Sequence, residues 1–434
     1  MIYLLLVILA IIFVLNLYLN NKDFGAPAVI FSMSFLFSAL WGCAFQSMWG
    51  TDIDFSTVAV VTLYVVIFSF ICLITKYLFA KGKEKEENQN CYDEPLDLNS
   101  GVMKLILILF LIMTVVYIRV LMSRIGASTI LQTIGGTYST RLETLNIPFY
   151  LRLYIALAQG VGYWISYVFI RNIFFKKLEI TALLLFAVCF LSNLLSGSRG
   201  VAVCMILSFP ANILLQSYRN NKYARKISIK KILLVIVIVL LGLWIFANSE
   251  RWLGRATVSS WNAIDSLGAY CGAEIYNLNS FLKNAKIPQS NQFGALTFSS
   301  LLNTISKYLG INYTRPTAYS FVHVNGHFMG NVFTMLYEPL YDFGYLGCTV
   351  LIIFYALLSQ VTYNSATNSV SNNRVPFSVN FYGYLYPLLA VSFFAWWFGN
   401  YVVSTAFIYI VISWELCNYF VLKVRFTFKG RPIR

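Results

Sequence analysis

The sequence predicts an all-α fold: a polytopic membrane helix bundle with about 11 transmembrane helices and a long extracytoplasmic loop carrying short amphipathic helices. Three observations predict it. Hydrophobic residues make up 59% of the 434 and charged residues 11%, whereas a soluble domain carries about 25% charged, so most of the surface must face lipid. The apolar residues fall in continuous runs of roughly 17 to 22, the length of a spanning helix, and do not alternate over about ten as barrel strands do. Basic residues collect in the short loops between runs, as the positive-inside bias requires.

The runs place helices at Ile2–Leu19, Ala28–Met48, Thr57–Phe79, Met103–Met122, Tyr150–Ile170 and Leu178–Leu195, then at Val201–Ser217, Lys231–Ala247, Gly344–Tyr363, Phe381–Phe398 and Val402–Leu422. The first run has neither a basic leader nor a small-x-small cleavage site, so a retained helix is expected there. Lys22, Lys76 to Lys85, Arg171, Lys176, Lys177, Arg219 to Lys231 and Lys423 to Arg434 mark one face as the cytoplasm. An odd helix count then puts the N-terminus outside and the C-terminus inside. The expected organisation is residues 1–247 with eight helices and an outer loop at 123–149, a large outer loop at 248–343, and residues 344–434 with three helices and a basic tail.

Within the large loop, SSWNAIDSLGAYCGAEIYNLNSFL and GALTFSSLLNTISKYLGI mix apolar and polar faces at helical spacing and are expected as short helices. The intervening KNAKIPQSNQF has the composition of a solvated loop. The formal charge of +15 is explained by topology, and no zinc spacing or nucleic-acid-binding signature accompanies it. The eight cysteines are scattered, most of them inside apolar runs, and imply neither a disulfide framework nor a metal site.

The outer face favours arginine: Arg124, Arg141, Arg152, Arg199, Arg251, Arg255 and Arg315, against Lys283, Lys286 and Lys307. Topology alone does not select arginine, but an anionic ligand does, because the guanidinium fork grips phosphate through two parallel hydrogen bonds. LLSGSRG, Leu194 to Gly200, brings two helix ends together and places Arg199 at a helix start, where free N–H groups favour an anion. The alternative is a tight turn with an arginine among lipid headgroups. Arg251 and Arg255 are four apart in SERWLGRAT, so on a helix they share a face, holding either one anion or headgroups.

Both histidines, His323 and His327, lie with Glu338 and Asp342 in RPTAYSFVHVNGHFMGNVFTMLYEPLYDFGYLG. Spacing of four can put each pair on one helix face, although Pro316 and Gly326 oppose a continuous helix through the histidines. VHVNGH lacks the glutamate of a metalloprotease motif, which weakens zinc. A histidine or carboxylate beside an arginine cluster can serve as a general base; the bland alternative is loop hydrogen bonding. Arg119 and Glu415 fall inside apolar runs and are expected to line or brace a cavity.

With these residues in view, the chain resembles the bacterial oligosaccharide repeat-unit (O-antigen or capsular polysaccharide) polymerases of the Wzy type. The resemblance rests on the helix number, LSGSRG after the sixth helix, SLGAYCGAEIYNLNSFL, FGALTFSSLLNTI and GNVFTMLYEPLYDFGYLG, with the arginine-x10-glycine spacing at Arg124–Gly135 and Arg315–Gly326. It implies a glycosyltransferase that moves a growing glycan from undecaprenyl pyrophosphate onto a lipid-linked repeat unit at the outer face of the bacterial inner membrane, without cofactor or metal. Its partners would be the undecaprenyl-pyrophosphate-linked oligosaccharide, membrane lipid, a chain-length regulator and the repeat-unit flippase, with no nucleic acid. On that reading Arg199 and Arg315 hold pyrophosphate, with Arg251 and Arg255 in support. His327, Glu338 and Asp342 are the candidates for base or sugar positioning, and His323, Arg124, Arg141 and Arg152 follow behind them. An O-antigen ligase, a flippase or transporter, and a membrane O-acetyltransferase are the competing functions.

Overall fold

The computed structural model describes residues 1–81, 94–139, 145–196, 199–220, 263–284, 286–314, 316, 322–369, 373–422 and two short terminal pairs, with isolated positions between 233 and 248. Among the described residues, seven helices are long and apolar enough to cross a membrane: α1 (Ile2–Leu19), α2 (Pro27–Trp49), α3 (Phe55–Lys81), α4 (Ser100–Ile125), α6 (Phe149–Phe174), α8 (Arg199–Asn220) and α12 (Tyr337–Asn368). Between α4 and α6 lies α5 (Ile130–Ser139), and α7 (Ile180–Leu195) precedes α8. The loop helices are α9 (Ala263–Cys271), α10 (Ala273–Asn284) and α11 (Ser299–Leu309), followed by a hairpin of β1 (His323–Val324) and β2 (His327–Phe328). The chain ends through α13 (Phe377–Ala390), a π-turn at Phe398–Val402 and α14 (Thr405–Phe420).

Two expected helices come out shorter than a full crossing: α7 and α14 have 16 residues each, about 24 Å at 1.5 Å per residue. The run Phe381–Phe398 is not one helix. It breaks after Ala390 into a turn and then the π-turn, and Val391, Ser392, Phe393, Trp396 and Phe398 are buried in protein, the setting in which non-helical backbone is tolerated at membrane depth. Most of Lys231–Ala247 lies outside the described residues.

The chain forms two compact units, each gathered from separated stretches. The first contains residues 1–88, 261–364 and 388–405. Here α1, α2 and α3 meet at a polar node, where Asn16 Nδ2 donates to Ala28 O, Ser32 Oγ (3.1 Å) and Ser69 Oγ (2.8 Å). Phe31 stacks on Phe68 at 3.9 Å. Lys76 Nζ caps the C-terminus of α1 by donating to Leu19 O at 3.1 Å, where a cation also meets the negative end of the helix dipole. α12 bends at Gly344 (φ 65°, ψ −164°), a conformation open to glycine alone. Tyr64 donates to Tyr345 O just beyond the bend, tying α3 to it (2.9 Å).

The second unit contains residues 89–260, 365–387 and 406–434, and α6 is its hub. Thr114, Tyr154 and Ser192 share hydrogen bonds of 2.7–3.0 Å that join α4, α6 and α7. Gly160 lets α14 approach so closely that a Cβ would lie 2.0 Å from Ser413 Oγ, and Trp414 Nε1 donates to Gly160 O (3.0 Å). Small residues at such crossings replace the hydrophobic drive that lipid cannot supply. Arg171, read from sequence as a topology signal, is wholly buried and donates through Nε to Glu94 O (2.7 Å). Asn172 beside it pairs both ways with the backbone of Leu96, so the segment before α4 is stapled to the end of α6.

Candidate active site

The described residues of the large loop form a folded structure anchored on α2 and the start of α3. The expected amphipathic segments are helical, and the first of them is split at Gly272 into α9 and α10. Gly272 sits at the tip of this hairpin, where a Cβ would lie 2.7 Å from Gly42 N on α2. The hairpin then returns toward the start of α3, where Asn279 Oδ1 accepts from Asp54 N (2.8 Å) and Thr57 Oγ1 (2.7 Å) and Lys283 pairs with Asp54 at 3.0 Å. Asn277, two residues earlier, is fully buried and donates to Met329 O (2.9 Å) and Val332 O (2.7 Å). That fixes the strand of chain leading to α12.

The histidines are not on a helix. Asn325 and Gly326 take positive φ values of 49° and 81°, the two-residue turn that matches the twist of a hairpin. His323 pairs with Phe328 and Val324 with His327. Directly paired residues share a face and successive ones alternate, so His323 and His327 point to opposite faces. His323 is exposed and His327 half-buried. The hairpin is pinned by Asn325 Nδ2, which donates to Trp49 O (2.9 Å) and Gly50 O (3.0 Å) at the end of α2.

Glu338 and Asp342 do share one helix face, in the first turns of α12, and both are buried. Asp342 is engaged: its Oδ2 accepts from Leu296 N (2.9 Å) and Thr297 N (2.6 Å), and the hydroxyls of Thr297 and Ser290 lie beside the same carboxylate. Tyr341 O receives Gln289 N (2.8 Å) and Ser290 N (3.1 Å). Together these bonds clamp the 289–298 stretch onto α12, so Asp342 holds a loop in place, whereas Glu338, one turn earlier, is buried and next in the chain to Tyr337, whose ring stacks on Phe333 at 4.2 Å.

Of the arginines, Arg199 is the first residue of α8, four residues beyond the end of α7, which is the placement the LLSGSRG turn implies. Arg124, in the last turn of α4, and Arg152, in the first turn of α6, are exposed. These three belong to the second unit, whereas His323, His327, Glu338 and Asp342 belong to the first. Arg141, Arg251, Arg255, Arg315 and the side chain of Arg199 lie outside the described residues. Arg119 is exposed, and Glu415 is paired with Arg374 at 3.5 Å, a brace within the second unit. Among the described residues, no three His, Cys, Asp or Glu side chains converge in a metal-binding group.

Sequence reasoning passed over Glu274. It is fully buried on α10, and neither carboxylate oxygen has a hydrogen-bond partner. Burial pushes its carboxyl well above the usual carboxylate range. The sequence carries a signal for it: between Asp265 and Lys283 it is the only charged residue. The chain matches no family model, no curated protein and no solved structure.

Proposed function

We propose that this chain is a membrane glycosyltransferase of the oligosaccharide repeat-unit polymerase (Wzy) type, with eleven crossings of the bacterial inner membrane, its N-terminus outside and its C-terminus in the cytoplasm. One observation carries most of the weight. Among its described residues the large loop is a built scaffold of three helices and a pinned hairpin against the ends of α2 and α3, with buried carboxylates beside it. An idle connector needs none of this.

In the proposed reaction, the acceptor sugar hydroxyl oxygen attacks the anomeric carbon of the donor glycan. The bond from that carbon to pyrophosphate breaks, and undecaprenyl pyrophosphate leaves with the electron pair. Arg199 and Arg315, supported by Arg251 and Arg255, stabilise the leaving diphosphate as fixed charges in a poorly hydrated site. The acceptor proton passes to a base, for which Glu338 and His327 are the better candidates, since Asp342 is occupied by the loop it clamps. An O-antigen ligase would use similar residues on a different acceptor, and a flippase would form no glycosidic bond.

The test is reconstitution. The purified chain in lipid vesicles, given undecaprenyl-pyrophosphate-linked repeat units, is expected to yield a ladder of lengthened glycans and free undecaprenyl pyrophosphate. Transport of the substrate with no ladder would refute the polymerase reading in favour of the flippase.

A further inference from the structure

The α9–α10 hairpin holds three buried acceptor oxygens with nothing to accept. Glu274 Oε1 and Oε2 have no partner, and neither does Asn277 Oδ1. Both residues are 0% exposed, and their i, i+3 spacing puts them on one face of α10, about 5–6 Å apart at Cβ. The amide end of Asn277 is spent on Met329 O and Val332 O, so its carbonyl oxygen is directed away from that contact. On the facing helix α2, the Ser38 hydroxyl is also buried and unpartnered. It lies one turn from Gly42 on the α2 face against which the hairpin tip packs.

A buried polar atom left unpaired has given up its hydration for nothing, and a charged one has given up more. Three such atoms on a single turn call for a partner that meets them all. That ligand must be a donor or a cation, since the set is built of acceptors. It must also be small, because the atoms are enclosed. One carboxylate balances one positive charge, whereas divalent sites collect several carboxylates.

We propose that Glu274 and Asn277 form a binding site for a single monovalent cation, Na⁺ or H⁺, in the loop hairpin. The site is independent of the glycosyl-transfer reading. Its occupancy sets how firmly the hairpin holds α2 and the 329–332 strand, and hence the entry to α12. Of the titratable groups on the packed elements, Cys43 on α2, Tyr64 on α3 and Tyr276 on α10 take their influences from other neighbours. Cys271 on α9 is the one coupled to Glu274. Cys271 itself is held neutral by burial first and by Glu274 second, so it adds no competing charge.

The experiment is thermal unfolding of the purified full-length chain in detergent. Na⁺ is exchanged for choline at constant ionic strength, from mildly acidic to mildly alkaline pH. In choline, a carboxyl held above its unfolded value binds its proton in the folded state only, so melting temperature should fall as pH rises past the ordinary carboxylate range. Added Na⁺ should restore about 1–3 °C at the alkaline end and saturate. Recovery by Na⁺ identifies sodium as an occupant, and a pH response without it identifies the proton. Glu274→Gln should abolish both responses, and Glu274→Asp, which keeps the charge, should shift the Na⁺ midpoint to higher concentration. If Glu274→Gln does not fold, the wild type and Glu274→Asp still decide. A wild-type melting temperature indifferent to both cations, or a Glu274→Gln chain that responds as wild type does, overturns the site.

Discussion

Gly272 lies backbone against backbone on Gly42: a Cβ at Gly272 would stand 2.7 Å from the Gly42 nitrogen and 2.8 Å from the Trp41 carbonyl carbon. These are main-chain atoms, so no rotamer change relieves the clash, and Gly272→Ala must push the hairpin off α2. The expected cost is about 1–3 kcal/mol, seen as a lower melting temperature and faster proteolysis of the loop. Gly101→Ala, on α4 with its nearest neighbour at 3.6 Å, should be neutral or slightly stabilising because alanine favours a helix.

Asp342 is expected to behave as a clamp. Asp342→Ala leaves two buried amides, Leu296 N and Thr297 N, without their acceptor, at about 1.5–3 kcal/mol for bonds to a charged group. Hydrogen exchange should quicken across residues 289–298 while α6 and α8 stay protected. Asp342→Asn keeps an acceptor oxygen and should lose less stability. Should Asp342→Asn abolish polymer without changing exchange, the residue would be acting on substrate instead.

Arg199 opens α8, so its charge adds to the free N–H groups there. Arg199→Ala is expected to lower polymer formation by about 10²–10³ while the protein still inserts, as judged by membrane fractionation. Arg199→Lys should also fail, because an ammonium lacks the planar fork. Normal chain length with Arg199→Lys would remove the two-bond argument.

The histidines should differ. His323 is exposed and His327 half-buried, on opposite faces of the hairpin, so single alanine variants should not phenocopy each other. His327→Ala is expected to reduce turnover and His323→Ala to leave it near wild type. Polymer formation should persist in excess chelator, and its loss would reinstate a metal at the histidines.

Much of the fold was written in the apolar runs. Ile2–Leu19 is a helix with those bounds, and α7 and α8 flank the LLSGSRG turn as expected, because in lipid a run of that length must be helical to satisfy its own backbone. Phe381–Phe398 misled, since hydropathy does not register that protein, not lipid, surrounds the break after Ala390. The histidine spacing left a shared helix face open, with Pro316 and Gly326 against it, and the hairpin decides against that face. Four-residue periodicity applies only on a helix, and Asn325-Gly326 is a hairpin turn signal that outweighs it. Which helices would gather into each unit was not legible, because lipid-facing and helix-facing surfaces are similarly apolar and the choice rests on contacts such as Gly160 with Ser413.

The most direct measurement is the lipid-linked product profile of a strain in which this chain is deleted. The polymerase account predicts single repeat units on undecaprenyl pyrophosphate in place of polymer, with the ladder restored by the wild-type chain and not by Arg199→Ala. Full-length polymer persisting on the lipid carrier, unattached to its final acceptor, would contradict it and assign the chain to the attachment step.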